Sequence, residues 1–236
     1  MAVPAKELVS VPVPRRTSRL VLLWHSTIGK KALMAASGLV MFAYLVVHML
    51  GNLKAFVGPE SLNGWARFLH GLPELLWTAR VVLLVALLTH GLAGVQLYLR
   101  ARTARPTGYA DYRPGASSTA SRTMIWSGLL ILCFVVYHVL DLTVGVANPD
   151  FREGEVFHNV LATFGQVAGV VAYLLAMVGV AFHLWHGIYS SFQSLGLSNR
   201  HLTPTVQRAA AGIAVLLTVG FSSIPLAVAF GLINPG

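Results

Sequence analysis

The stretch Gly179-Val-Ala-Phe-His-Leu-Trp-His-Gly-Ile-Tyr-Ser190 decides the fold. It lies inside a run, residues 157–193, that contains no Lys, Arg, Asp or Glu. Such a run can cross a bilayer, which takes roughly 20 apolar residues. Two imidazoles, His183 and His186, sit deep within it. A polar ring in hydrocarbon is costly without a partner, so an ionisable residue there points first to function. Three other apolar runs each carry one interior histidine: His48, His90 and His138.

The whole chain has the same character. Of its 236 residues 56% are hydrophobic and 11% charged, with a mean hydropathy of +0.69. A soluble domain carries about 25% charged residues. The expected fold class is therefore all-α, an integral membrane protein with five transmembrane helices. A formal charge of +9 would suit a nucleic-acid partner. The basic residues instead flank the apolar runs, where membrane topology accounts for them. A single cysteine, Cys133, leaves no internal disulfide and no Cys-ligated iron–sulfur cluster within the chain, and mid-run it reads as a small apolar filler. Residues 1–19 are Pro- and Arg-rich with no apolar core, so they are expected to form a cytoplasmic tail rather than a cleavable signal. No internal repeat or glycine-rich phosphate loop is visible.

Residues 20–29 are apolar but too short to span, and are expected to lie at the interface with Trp24 at headgroup level. Residues 1–29 then form a tail and interfacial segment, and 30–236 the membrane domain. Lys30 and Lys31 precede a first span at about 32–53. A loop with a short helix near 62–69 leads to a second span at about 75–99, closed by Arg100, Arg102 and Arg105. A polar loop broken by Pro106, Gly108, Pro114 and Gly115 follows. The third span is expected at about 123–146, with Trp126 near its start. The fourth, at about 157–192, is longer than a bilayer needs and is expected to tilt or to extend past it. The fifth, at about 209–232, has neither charge nor histidine.

With the N-terminus inside, 13 of the Lys and Arg residues fall on the inner side and 4 on the outer, so the N-terminus is expected to be cytoplasmic and the C-terminus outside. Depth follows from helical rise. His48 is roughly 25 Å from Lys31 and His138 roughly 24 Å from Arg122, both in the outer half. His90 is roughly 15 Å from Arg100, and His183 lies towards the inner end of its descending span. Depth pairs His48 with His138 and His90 with His183.

A lone intramembrane histidine often does no more than bond a neighbouring helix. Four on separate helices, in two layers, suggest shared work: bis-histidine ligation of two stacked haem irons, an electron wire across the bilayer. Gly91, Gly94, Gly128, Gly179 and Gly187 are expected to let a flat porphyrin approach the backbone. His183 and His186 are too close together to serve two stacked haems. That argues against a cytochrome b whose single helix pair holds both.

These residues resemble a known family. Ser26-Thr-Ile-Gly-Lys-Lys-Ala-Leu-Met-Ala-Ala-Ser-Gly38, His48-Met-Leu-Gly-Asn-Leu-Lys54, Gly58-Pro-Glu-Ser-Leu-Asn63, His183-Leu-Trp-His-Gly-Ile-Tyr189 and Gln193-Ser-Leu-Gly196 carry the likeness together. The chain resembles the single-chain, five-helix, dihaem cytochrome b anchor of succinate:quinone oxidoreductases, from about Ser26 to the end. The resemblance implies one ligand from each of four helices, the last followed four residues later by Gly. That fits His183 with Gly187 and leaves His186 to bond a haem propionate, a carbonyl or water. Lys31 and Trp126 are counted with His186 as expected cofactor contacts.

The resemblance also implies partners: a flavoprotein with covalent FAD that interconverts succinate and fumarate, and a subunit with iron–sulfur clusters. Both would dock on the cytoplasmic face of the inner membrane. The dicarboxylate active site would be theirs; this chain would exchange electrons with a quinone, menaquinone being expected, in the respiratory chain. Quinone reduction needs protons as well as electrons, so its site needs a proton-passing group. Outer candidates are Glu74, His70 and Glu60, although an acid at a helix start is also favoured by the dipole alone. Inner candidates are Ser26, Thr27, His25 and Lys31, which would equally serve as interface anchors. Some menaquinol-oxidising relatives carry a glutamate two residues before the last ligand. Here that residue is Ala181, which favours succinate oxidation. Asp141 is expected to bond a loop or a propionate-bound water. The competing readings are a dihaem anchor of another quinone-linked dehydrogenase, such as a hydrogenase or formate dehydrogenase, and a haem-free transporter or structural anchor.

Overall fold

The computed structural model describes residues 18–104 and 122–234. The tail up to residue 17 and the breaker-rich loop at 105–121 lie outside the described residues. Among the described residues all regular structure is helical, and five helices are long and apolar enough to cross a membrane.

Helix α1 (Arg19–His25) and α2 (Thr27–Asn52) are separated by Ser26 alone. Ser26 is extended, and its Oγ accepts the Gly29 N–H at 2.9 Å, which satisfies one of the free donors of the new helix. This cap starts α2 inside the segment expected to be interfacial, so residues 29 and 30, on either side of the expected boundary, share one helix. A 3₁₀ turn, Leu53–Phe56, ends α2. Helices α3 (Pro59–His70) and α4 (Pro73–Thr103) both open on proline, whose missing N–H costs nothing at that position. Glu74 in the first turn of α4 and Arg100 and Arg102 in its last complement the helix dipole.

Helix α5 (Met124–Val139) widens into a π-helical turn, Leu140–Val144, and stops at Gly145 with φ 86°. A Cβ at Gly145 would run into the Phe151 ring, so both conformation and space require glycine there.

The expected single fourth span is two helices, α6 (Val156–Phe164) and α7 (Val167–Ser194). Apolar composition is continuous across the break, but polar bonds are not. Asn159 exchanges two 2.8 Å hydrogen bonds with the Arg152 backbone, and Asn63 Oδ1 accepts the Phe157 N–H at 2.9 Å. These bonds hold α6 across the end of the bundle. Beyond extended Gln166, Gly169 packs against the Thr163 carbonyl so closely that a side chain would collide with it. The fifth span also begins earlier than expected, as α8 (Thr203–Ala229), with Pro204 in its first turn and Arg208 inside the helix.

Helix α7 is central and packs on α2, α5 and α8; α4 packs mainly on α2 and touches α5 lightly. Lipid tails are as apolar as leucine, so helices in a bilayer associate through close packing of small residues. Ala35, Ala86, Ala93, Ala176, Ala210 and Ala214 are accordingly among the most buried residues. Leu62, Phe157, Phe164, Tyr173 and Ile224 cluster where α3 and α6 cap one end.

Candidate functional site

The bundle brings the interior histidines together in the pairs that depth suggested. His48 of α2 faces His138 of α5 with ring centroids 5.7 Å apart and planes at 85°. His90 of α4 faces His183 of α7 at 5.9 Å and 57°. The first pair lies next to the α3–α6 cap. The levels are set by α5 and α7, which run antiparallel. Ser127 meets His183 and His138 meets Tyr173, and the helical rise between Ser127 and His138 separates the levels by about 16 Å.

Hydrogen bonds orient each ring. His90 Nδ1 lies 2.9 Å from the Met34 carbonyl oxygen, which only accepts, so Nδ1 carries the proton. Ser127 Oγ lies 3.1 Å from the Met124 carbonyl oxygen and 3.2 Å from His183 Nδ1, and it accepts from Nδ1 when its own hydrogen goes to the carbonyl. Tyr173 donates to Asp141 Oδ2 at 2.8 Å and accepts from His138 Nδ1 at 3.1 Å. The Asn52 amide donates to His48 Nε2 at 3.3 Å. His48, His90 and His138 thus carry their lone pair on Nε2, and the latter two hold Nδ1–H to a second group, the usual arrangement of metal-ligating histidine. Asn52 takes the lone pair that a metal would need, so ligation at His48 requires its amide to turn aside.

This donor set fits haem better than a bare ion. Among the described residues no cluster of three or more His, Cys, Asp or Glu could hold a metal. Two imidazoles complete an iron that already has four porphyrin nitrogens. Imidazole nitrogens bind a metal at about 2 Å, which puts two axial ring centroids roughly 6 Å apart, as in both pairs.

Residues 101–221 match the model of the succinate dehydrogenase/fumarate reductase transmembrane subunit family. The chain belongs to that family. No curated protein and no solved structure matches it. As a succinate dehydrogenase/fumarate reductase transmembrane subunit with five apolar helices, it is a multi-pass membrane protein. The matched region contains His138 and His183, one member of each pair.

The other expected site residues of this transmembrane subunit are placed as follows. His186 is half-buried, one turn beyond His183, and makes no hydrogen bond among the described residues. Lys31 is exposed; its neighbour Lys30 is the inward one, 2% exposed, with Nζ 4.9 Å above the Trp24 ring. Trp126 is 68% exposed and lines a groove of about 230 Å³ with Ser127, Gly179 and Phe182. Ser26 is committed to its cap, also donating to the Leu23 carbonyl at 3.2 Å, and Thr27 is exposed beside it. Glu74 is exposed in the first turn of α4 without an ion pair among the described residues. His70 bonds the Ala66 carbonyl of its own helix at 2.8 Å, and Glu60 pairs with Arg67 at 3.6 Å. None of these three bonds His48 or His138.

Of the glycines, Gly91 and Gly187 face open space. Gly128 faces the His183 ring and Gly94 the Met34 sulfur, while Leu130 fills the space at Gly179. Gly179 therefore packs against Leu130 at the edge of the Trp126 groove. Sequence reasoning missed Tyr173, Thr163 and Ser127. The near-equal spacing of Ser127 to His138 and of Tyr173 to His183, on antiparallel spans, was the available signal.

Proposed function

We propose that this subunit is a dihaem cytochrome b, with His48 and His138 the axial ligands of an outer haem and His90 and His183 those of an inner one. Two facing imidazole pairs, at two levels and with the Nε2 lone pairs of His90 and His138 left free, are the observation that carries the reading. Each haem supplies a one-electron ferric/ferrous couple. The chain's own residues set the ring orientations, exclude water through the apolar helix faces, and fix the two levels.

In this reading the subunit anchors a flavoprotein and an iron–sulfur subunit on the cytoplasmic face of the inner membrane, with its own N-terminus on that side. The two histidine pairs would hold haems able to relay single electrons between the clusters and a quinone, with succinate the expected donor and menaquinone the expected acceptor. Ala181 supports this direction, since a methyl group cannot carry a proton along α7. Glu74 and His70 are the outer candidates for giving protons to the quinone, and Ser26 with Thr27 the inner ones. His186, Lys31 and Trp126 remain the candidate contacts of the inner haem's edge, of which His186 is the half-buried one. The test is a dithionite-reduced minus oxidised spectrum of the purified complex, with haem extracted and counted per chain. Two b haems are expected. A colourless, folded protein made with haem available would overturn the reading in favour of a haem-free anchor or transporter.

A further inference from the structure

Asp141 is 1% exposed, in the π-helical turn that follows His138. Two hydroxyls donate to it. Thr163 Oγ1 donates to its two oxygens at 3.0 and 3.1 Å, and Tyr173 donates at 2.8 Å. Thr163 Oγ1 in turn accepts from the Asn148 amide at 3.2 Å. Tyr173 has no second hydrogen, so its oxygen can only accept from His138 Nδ1. The hydrogen bonds therefore run one way, from imidazole to phenol to carboxylate.

Among the described residues the other level has no such carboxylate relay. His90 Nδ1 ends on a backbone carbonyl and His183 Nδ1 on a serine hydroxyl. A carboxylate one hydroxyl away from an imidazole makes that ring a stronger donor, and in a low dielectric the charge itself favours the more positive state of the metal. π-Helical turns often mark functional positions, and this one carries the acid.

We propose that Asp141, acting through Tyr173, is a positioning residue for His138 that holds the outer haem at a lower potential than its ligands alone would give. The inference rests on the dihaem reading. Its rival is that Asp141 only fastens α6 and the preceding turn to the bundle through Thr163.

The test is a redox titration of the purified complex, followed by visible spectra and by the EPR signal of the ferric haems. It compares wild type with Asp141→Asn, Tyr173→Phe and Thr163→Val. The outer haem is identified as the one lost in His48→Ala. Asp141→Asn and Tyr173→Phe are expected to move the outer couple at least tenfold towards the ferrous state, about 59 mV upward for one electron. The inner couple should stay in place, and Thr163→Val should move neither. An unmoved outer couple in Tyr173→Phe with both haems retained, or an equal shift in Thr163→Val, overturns the proposal. If Asp141→Asn fails to assemble, Tyr173→Phe decides, since it keeps the ring packing. A wild type without an outer haem overturns this proposal and the dihaem reading together. Two haems without a shift overturn this proposal alone.

Discussion

His90 Nδ1 lies 2.9 Å from the Met34 carbonyl oxygen, a bond that crosses from α4 to α2. It orients the ring with a group that no substitution at Met34 can remove. The space for that ring comes from Gly38, where a Cβ would lie 3.1 Å from His90 Cε1 and 3.2 Å from Nδ1. Gly38→Val is therefore expected to displace His90 and abolish the inner haem while the outer one remains. The haem count per chain would fall from two to one. Gly38→Ala should keep both, with a perturbed spectrum of one.

His183→Ala and His186→Ala separate ligand from neighbour. His183 faces His90 and is held by Ser127, whereas His186 has no hydrogen-bond partner among the described residues. His183→Ala should lose the inner haem; His186→Ala should retain both. Equal loss in the two variants would contradict the assignment.

Asn148 is buried, and its side chain bonds the Asn159 carbonyl and Thr163 Oγ1, each at 3.2 Å, and accepts the Asp150 N–H at 3.3 Å. Asn148→Ala leaves buried partners unpaired and should cost about 1–3 kcal/mol. Denaturant or thermal unfolding in detergent measures it, with the inner haem spectrum as the internal control.

Ser26→Ala removes the cap of α2 and should cost about 1 kcal/mol. Because that hydroxyl is already committed at both ends, the variant should lose stability without losing quinone reduction. A selective loss of quinone reduction with both haems present would place the inner quinone site at Ser26.

What was legible in the chain, and what was not, follows from the kind of signal each feature leaves. Long uncharged runs show spans, and Lys and Arg bias gives them a direction. Those two observations were enough to pair His48 with His138 and His90 with His183 before any coordinates. The break at Gly165 and Gln166 was hidden because residues 157–193 are uncharged throughout. Hydropathy registers side chains in bulk, whereas α6 is held in place by Asn159 and Asn63 capturing single backbone groups. Asp141 was visible as an anomalous acid, but its partners were not. Tyr173 comes from a different helix, and nothing in a linear pattern says that its hydroxyl lies between a carboxylate and an imidazole. Lys30 and Lys31 are indistinguishable by composition, and only helix phase turns the first inward.

The most direct test of the two-pair arrangement is the haem count of histidine variants taken singly and in combination. Each of His48→Ala, His138→Ala, His90→Ala and His183→Ala should remove one haem. The His48/His138 double variant should still lose only one, as should His90/His183, while His48/His90 should lose both. Loss of both haems in the His48/His138 double variant, with the chain still folded in the membrane, would contradict the arrangement.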